Sequence, residues 1–379
     1  MKLLFWISLL WLSYAYVGYL CLLTVITRFR RRTVRQTDAT PPVTMLIAAY
    51  NEEGAIEEKI HNCLGQDYPP DKLEIIIVSD SSTDRTDEIV ARYAKDGVRL
   101  IRQPVRRGKT SALNLAIEEA TGEILVFSDA TTYFPQDTVE KLVRNFGDPL
   151  VGCVGGEPRF RLPDQKTMGE EVSQYWRYER LLRIKESEFN TLIGVSGCVF
   201  AIRRELAEPL REDLIEDLVL PLKVAGRGYR VVYEQEAVAY EEMSHTGEQE
   251  LNRMVRVVVG GVNALWHMKS LLNPIRHPRL AFQLFSHKIC RWLAPFFHAT
   301  FFLSTLVLML SEAAFLPLGT AMITFVTLSV LGGLLHNRGP LPRLLKIPYY
   351  FMLINLAFLA GLYQFLAGER HVTWDPIRS

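Results

Sequence analysis

The sequence predicts an α/β domain with a mostly parallel sheet, flanked by apolar segments long enough to cross a membrane. Two patterns carry that expectation. Over residues 41–265, short apolar runs alternate with helix-length amphipathic stretches, the rhythm of βαβ units. Ahead of them, Leu3 to Thr27 gives about 25 almost uncharged positions, enough for a hydrocarbon core of about 30 Å.

In chain order, VTMLIAAY (Val43 to Tyr50) reads as a buried strand because its apolar run is continuous and prolines precede it. Asn51, Glu52 and Glu53 then form a capping cluster for a helix through Leu64. LEIIIV (Leu73 to Val78) is the next strand, followed by a helix over Asp84 to Ala94 and the strand VRLIRQ. A helix over Ser111 to Ala120 leads to ILVFSD, Ile124 to Asp129. Three acidic positions mark this layout. Asp80 and Asp129 end strand runs, and the Glu216-Asp217 pair opens an amphipathic stretch. Open α/β sheets bind ligands at the carboxyl ends of their strands.

The net charge of +1 names no polyanionic partner, and nucleic acid is not expected. Positive charge is instead local: Arg28, Arg30, Arg31, Arg32 and Arg35 follow the first apolar segment. Five cysteines lack any Cys-x-x-Cys pairing, so neither a disulfide framework nor a zinc site is indicated. A cleaved signal peptide is disfavoured, since only Lys2 precedes the apolar stretch and no small-x-small site comes before the arginines. The reading is an anchor over 1–28 and a basic linker over 29–40, with the arginines and the α/β domain cytoplasmic.

Three further apolar segments, about Trp292 to Leu310, Ala313 to Leu335 and Ile347 to Ala367, give three spans within 292–370 and a tail over 371–379. Arg338, Arg343 and Lys346 fit a cytoplasmic loop, and the count then sends the carboxyl terminus outside. Residues 266–291 are expected to form interfacial helices, because LAFQLFSHKICR mixes apolar residues with His287, Lys288 and Arg291. A soluble helix packed on the domain is the competing reading.

At AAYNEEGAIEEKIHNCLGQDYP, IIIVSDSSTDRTDEI, RRGKTSALNLAI, ILVFSDATTYFPQDTV, GVSGCVFAIRRE and IEDLVLPLKVAGRGYRVVY, the chain resembles the family-2 glycosyltransferases. The motifs cover roughly Pro41 to Gly261 in family order. The flanking apolar segments look like the membrane-bound branch that makes polysaccharides and glycolipids. The resemblance implies a GT-A fold and inverting transfer from a nucleotide-diphosphate sugar, with UDP as the expected nucleotide. The acceptor it implies is a lipid or lipid-linked saccharide at the cell membrane, and the protein would be multi-pass.

The site residues are assigned on the same resemblance. Asp217 matches the general base and Glu216 supports it. Asp80 faces the nucleoside, although turn chemistry alone would also place an acid there. Asn51, Glu52 and Lys109 are expected at the donor. Asp129 is the expected ligand of Mg²⁺ or Mn²⁺, hard cations that favour oxygen. Thr131 stands where the family's second metal-binding aspartate is usual. A phosphate-loop reading of Lys109 fails because it needs glycine where the chain has Gln103. Gly194, Ser196 and Gly197 form a small-residue loop near the acceptor. Arg253 and Arg256 are expected at the diphosphate, with Val257 where processive relatives carry tryptophan. That loss points to limited transfer. A processive homopolymer synthase and a non-catalytic assembly subunit are the alternatives.

Overall fold

Asp80 follows and Asp129 ends the two strands that flank Val43–Ala49, at the carboxyl edge of a seven-stranded sheet whose order is β3-β2-β1-β4-β6-β5-β7. Its strands are β1 (Val43–Ala49), β2 (Leu73–Ser79), β3 (Val98–Arg102), β4 (Ile124–Asp129), β5 (Val151–Arg161), β6 (Phe200–Arg203) and β7 (Arg230–Glu242). The computed structural model describes residues 1–161, 170–242, 247–336, 339, 341–370 and 372–373; Arg338 and most of the tail lie outside them.

Strands β1, β2, β3 and β4 run parallel, β6 is antiparallel to β4 and β5, and β7 pairs parallel with β5. Register aligns the carboxyl ends. Ala48 pairs with Asp129, Ala49 pairs with Ser79, and the Asp80 N–H donates to the Ala49 carbonyl at 2.8 Å. Full burial of β1 explains its apolar run, interrupted only by Thr44, since both faces of a parallel sheet are covered. Phe127 stacks on Phe200 across β4 and β6, centroids 4.2 Å apart, and both are fully buried.

Helices α1 (Ile56–Leu64), α2 (Thr86–Arg92), α3 (Lys109–Glu119), α4 (Thr138–Val143), α5 (Glu170–Phe189) and α6 (Glu216–Gly226) accompany the sheet. The capping expected of Asn51 to Glu53 is not made by their side chains. Helix α1 starts at Ile56 with no side-chain cap, and the Glu52 carbonyl accepts the Ala55 and Ile56 N–H groups instead. Asp84 does cap α2 locally, accepting from the Thr86 N–H at 3.0 Å and from its hydroxyl. Burial opposes ionisation of Asp84, but bonds from Thr86 and Glu53 outweigh it and hold the carboxyl below its usual range.

The chain divides into two units. The α/β unit comprises Ile26–His245, Gly260–Leu280 and Arg370–Ser379; the helical unit comprises Met1–Val25, Thr246–Val259 and Ala281–Glu369. Among the described residues, four helices are long and apolar enough to cross a membrane: Lys2–Phe29, Ala294–Ser311, Ala313–Leu335 and Arg343–Leu366. The segment expected at the interface, 280–291, behaves differently. From Ala281 onward it runs antiparallel to the first helix: Tyr14 bonds Ser286 at 2.7 Å, and the Trp11 indole donates to the Cys290 carbonyl at 3.1 Å. Aromatic packing continues the line through Trp11–Phe297 and Phe5–Phe301, ending at a Lys2–Glu312 ion pair. Gln283 and Ser286 are fully buried, His287 is buried, and Lys288 and Arg291 are half-buried. Residues 246–259 also depart from the expected 41–265 domain, with Val255 and Val259 packing on Ala357 in the helical unit.

Phe127→Ala should cost about 3–5 kcal/mol, because it removes one face of a buried stacked pair. Denaturant unfolding of the detergent-solubilised protein measures this, and a loss under 1 kcal/mol would contradict the packing described.

Candidate active site

Lys109 is the first residue of α3, and its ammonium sits between acids from two other elements. Nζ lies 2.6 Å from Asp129 Oδ1, at the end of β4, and 2.8 Å from Glu216 Oε1, at the head of α6. Burial opposes the charge on Lys109, but Asp129 and Glu216 outweigh it and raise its pKa well above the ordinary value. Asp217 adjoins this cluster. A Cβ placed on Gly197 would stand 3.3 Å from both Asp217 Oδ2 and Lys109 Nζ. Gly197 therefore leaves open the space onto which the lysine and the second acid converge.

Helix α3 is locked to the segment that delivers the acids. The Thr110 hydroxyl donates to the Leu214 carbonyl at 2.7 Å, and the Asn114 amide exchanges two bonds with the Leu210 backbone. Gly194, φ +94°, lies against Leu218, and the Val195 N–H donates to the Asp217 carbonyl at 2.9 Å. The Ser196 hydroxyl is 3.2 Å from Cys198 Sγ. The small-residue loop thus borders the Glu216-Asp217 pair.

Asp80 faces the chain. It is 0% exposed and accepts from the Gln103 amide at 3.0 Å, the Arg107 N–H at 2.8 Å and the Gly108 N–H at 2.9 Å. Its visible work is to bracket the loop that presents Lys109. The Ser111 hydroxyl donates to Gln103 Oε1 at 3.1 Å, and Arg107 pairs with Glu212. Asn51 adopts φ +55°, and its Oδ1 accepts from the Thr83 N–H at 2.7 Å; the Glu52 N–H donates to the Thr86 hydroxyl. Both brace the 80–86 turn at the same sheet edge. Arg253 and Arg256 belong to the helical unit, on the helix Gly247–His267.

Two features escaped the sequence reading. Lys59 is 2% exposed, and its ammonium donates to Ser128 Oγ at 2.6 Å and the Thr132 carbonyl at 2.7 Å, 4.5 Å above the Phe134 ring. Burial pushes its pKa down. It pins both ends of the Asp129 turn, and the signal was a lysine on the buried face that Ile56, Ile60 and Cys63 share on α1. The second is Arg106, whose guanidinium lies 3.7 Å from the centroid of the Tyr50 ring.

Among the described residues, no three His, Cys, Asp or Glu side chains gather as a metal cage. Asp129 is partly exposed and Thr131 exposed. One carboxylate and a hydroxyl suit a hard cation that takes its remaining ligands from phosphates and water.

Residues 44–211 match glycosyl transferase family 2. With the sheet and the acids at its edge, the match makes this region similar to a glycosyltransferase domain of the GT-A fold. The chain is 27% identical over 234 residues to the poly-beta-1,6-N-acetyl-D-glucosamine synthase of Staphylococcus aureus, covering 60% of this chain and 56% of the relative. It is 27% identical over 286 residues to the probable glycosyltransferase YdaM of Bacillus subtilis, 73% of this chain and 66% of that one. Among solved structures it is similar to the mannosyltransferase PcManGT from Pyrobaculum calidifontis in complex with GDP-Man and Mn²⁺. That likeness has a TM-score of 0.73 at 25% identity and covers 97% of this chain and 99% of the other.

Lys109→Met should lower the melting temperature by several degrees, because it leaves Glu216 buried beside Asp129 without a cation. A lysine whose folded pKa is raised contributes stability that is complete below its unfolded value of about 10.4 and lost only above it. The gap between wild type and variant should therefore stay constant from about pH 6 to 9. Thermal melts across that range test this, and a gap that closes as pH rises within it contradicts the bridge. Gly108→Ala should also destabilise, by about 1–3 kcal/mol. Gly108 sits at φ +95°, and a Cβ there would collide with the Val372 carbonyl.

Proposed function

We propose that this chain is a membrane-bound, inverting glycosyltransferase moving a sugar from a nucleotide-diphosphate sugar to a lipid or lipid-linked saccharide. The observation that carries the proposal is the Lys109 bridge, which joins an acid at a strand end to an acid pair at a helix head. Asp217, partly exposed and open toward Gly197, is the base. It takes the proton of an acceptor hydroxyl while that oxygen bonds the anomeric carbon. The bond from that carbon to the diphosphate breaks on the opposite side, so the configuration inverts and the nucleoside diphosphate leaves with the electron pair. Glu216 and Lys109 fix the position of Asp217's helix head and offset negative charge. Asp80 holds the loop that carries Lys109, while Asn51 and Glu52 brace the neighbouring turn at the donor edge. Gly194, Ser196 and Gly197 form the acceptor side.

Asp129, with the Thr131 hydroxyl nearby in sequence, would hold Mg²⁺ or Mn²⁺. When bound, such a cation neutralises charge on the leaving diphosphate. Arg253 and Arg256, one turn apart on their helix, are proposed to meet the same diphosphate. UDP is the proposed nucleotide. The GDP-Man held by the archaeal relative makes a GDP-sugar the comparison arm.

The four apolar helices support a multi-pass protein with the α/β domain on the cytoplasmic side, where the Arg28–Arg35 cluster belongs. A strict count of four crossings sends the carboxyl terminus to the other face. The Val372 carbonyl, however, lies against Gly108 in the α/β unit, which supports an even number of crossings between Ala294 and Leu366. A second reading, processive polymer synthesis, is favoured by the likeness to the S. aureus synthase. Against it stands Val257, exposed where a stacking tryptophan is usual.

Purified protein given radiolabelled UDP- and GDP-sugars with membrane lipid should form lipid-linked product of one or a few sugars. Asp217→Asn should cut the rate about 10²–10⁴-fold, and chelation should abolish transfer. An active Asp217→Asn enzyme overturns the base assignment, and long oligosaccharide ladders favour the synthase reading.

A further inference from the structure

The arginines that follow the first apolar helix line a cavity of about 420 Å³ within the α/β unit. Its walls are Arg30, Arg31, Arg32 and Arg279, with Ile26 and Phe189 as apolar surface. We propose that this cavity is a binding site for the phosphate-bearing headgroup of an anionic phospholipid.

Two of the four guanidinium groups are built into the wall. Arg31 Nε lies 3.0 Å from Glu188 Oε1. Arg32 donates from its side chain to Asn190 Oδ1 at 3.2 Å and from its backbone to the Glu188 carbonyl at 2.9 Å. Below them the Arg230 guanidinium, 4% exposed, donates to the Arg32 and Thr33 carbonyls and fixes the path of this segment. Glu188 also takes Lys185 at 2.8 Å, so one carboxylate serves two cations. Arg30 and Arg279 are exposed, and no carboxylate among the described residues pairs with either. The cavity therefore gathers four cations against one shared acid. An anion resolves that imbalance, and guanidinium forks suit phosphate oxygens.

Shape and position select the source of the phosphate. Water's share of liquid volume is about 30 Å³, so the space equals on the order of ten waters and exceeds what one phosphate ion needs. Ile26 and Phe189 offer an apolar wall that a free ion does not use but a glycerol backbone and the start of an acyl chain do. Arg30 directly follows Phe29, the last residue of the 28-residue apolar helix. The site thus follows directly on the span, at headgroup depth, where basic residues are drawn to an anionic surface. The inference rests on reading Lys2–Phe29 as a span, and it is independent of sugar transfer.

The test uses the full chain in neutral detergent. Melting curves and native mass spectrometry are recorded with phosphatidylglycerol, phosphatidylcholine or inorganic phosphate, for wild type and the Arg30→Gln/Arg279→Gln double variant. Both positions are exposed and outside the transfer site, so the variant should fold and keep its basal activity. Phosphatidylglycerol should stabilise wild type and appear as a retained adduct, with affinity about tenfold or more weaker in the variant. Phosphatidylcholine and inorganic phosphate should do neither. Equal stabilisation by inorganic phosphate would make this a free-anion site, equal stabilisation by phosphatidylcholine would make it an apolar contact, and an unchanged double variant would remove the cavity from the account. Any of these overturns the proposal. Failure of the transfer assay alone leaves it standing.

Discussion

A single ammonium group bridges the acids of three elements that backbone and side-chain bonds already bring close. Asp129 closes β4, Glu216 opens α6 and Lys109 opens α3, and the two carboxylates approach Nζ to 2.6 and 2.8 Å. Without the cation, two acids would face one another across a partly buried gap. Pairs of this kind are worth on the order of 4 kcal/mol each at an effective dielectric near 20, before desolvation is subtracted. Their main effect is geometric. They set the distance between the edge of the sheet and the helix carrying Asp217, and every other feature of the cleft is arranged around that distance.

Asp80 extends the same principle two strands over, on the far side of β1. Its three bonds all go to the 103–108 connection, so a buried carboxylate determines how the chain enters α3. Gly108 is needed there because the Asp80 bond requires its N–H at φ +95°, a region costly for residues with a Cβ. Lys59 anchors the opposite side by bonding Ser128 and the Thr132 carbonyl on either flank of Asp129. The cleft floor is thus fixed by charge and backbone bonds, while apolar packing is confined to the sheet beneath it. Preorganised groups of this kind need little rearrangement when charge develops during a reaction.

This division explains what the sequence revealed. Strands β1, β2 and β4 were legible because burial on both faces leaves continuous apolar runs, and their terminal acids stood out against them. Strands β5, β6 and β7 were not assigned. β6 is four residues long, and β5 meets β7 through two register irregularities, which blurs any alternating pattern. Asp217 could be recognised at the head of an amphipathic stretch, yet its nearness to Gly197 and Lys109 is tertiary and leaves no local trace. Asp80 was noticed for its position, but its partners are 23 to 28 residues away. The 280–291 segment was read from His287, Lys288 and Arg291 among apolar residues, and its Ser286–Tyr14 bond to a neighbouring helix left no trace in the sequence.

Lysine at position 109 suits the site better than arginine, for a steric and an electrostatic reason. The space beside Nζ is kept open only by Gly197, whose missing Cβ would lie 3.3 Å from it. A planar guanidinium is larger and would fill the space that Asp217 faces. Its fork also favours one carboxylate at a time, whereas a compact ammonium directs its donors toward Asp129 and Glu216 together. An ammonium carries three donors, and Asp129 and Glu216 account for two of them. The same atom thereby joins the sheet edge to the helix head that carries Asp217.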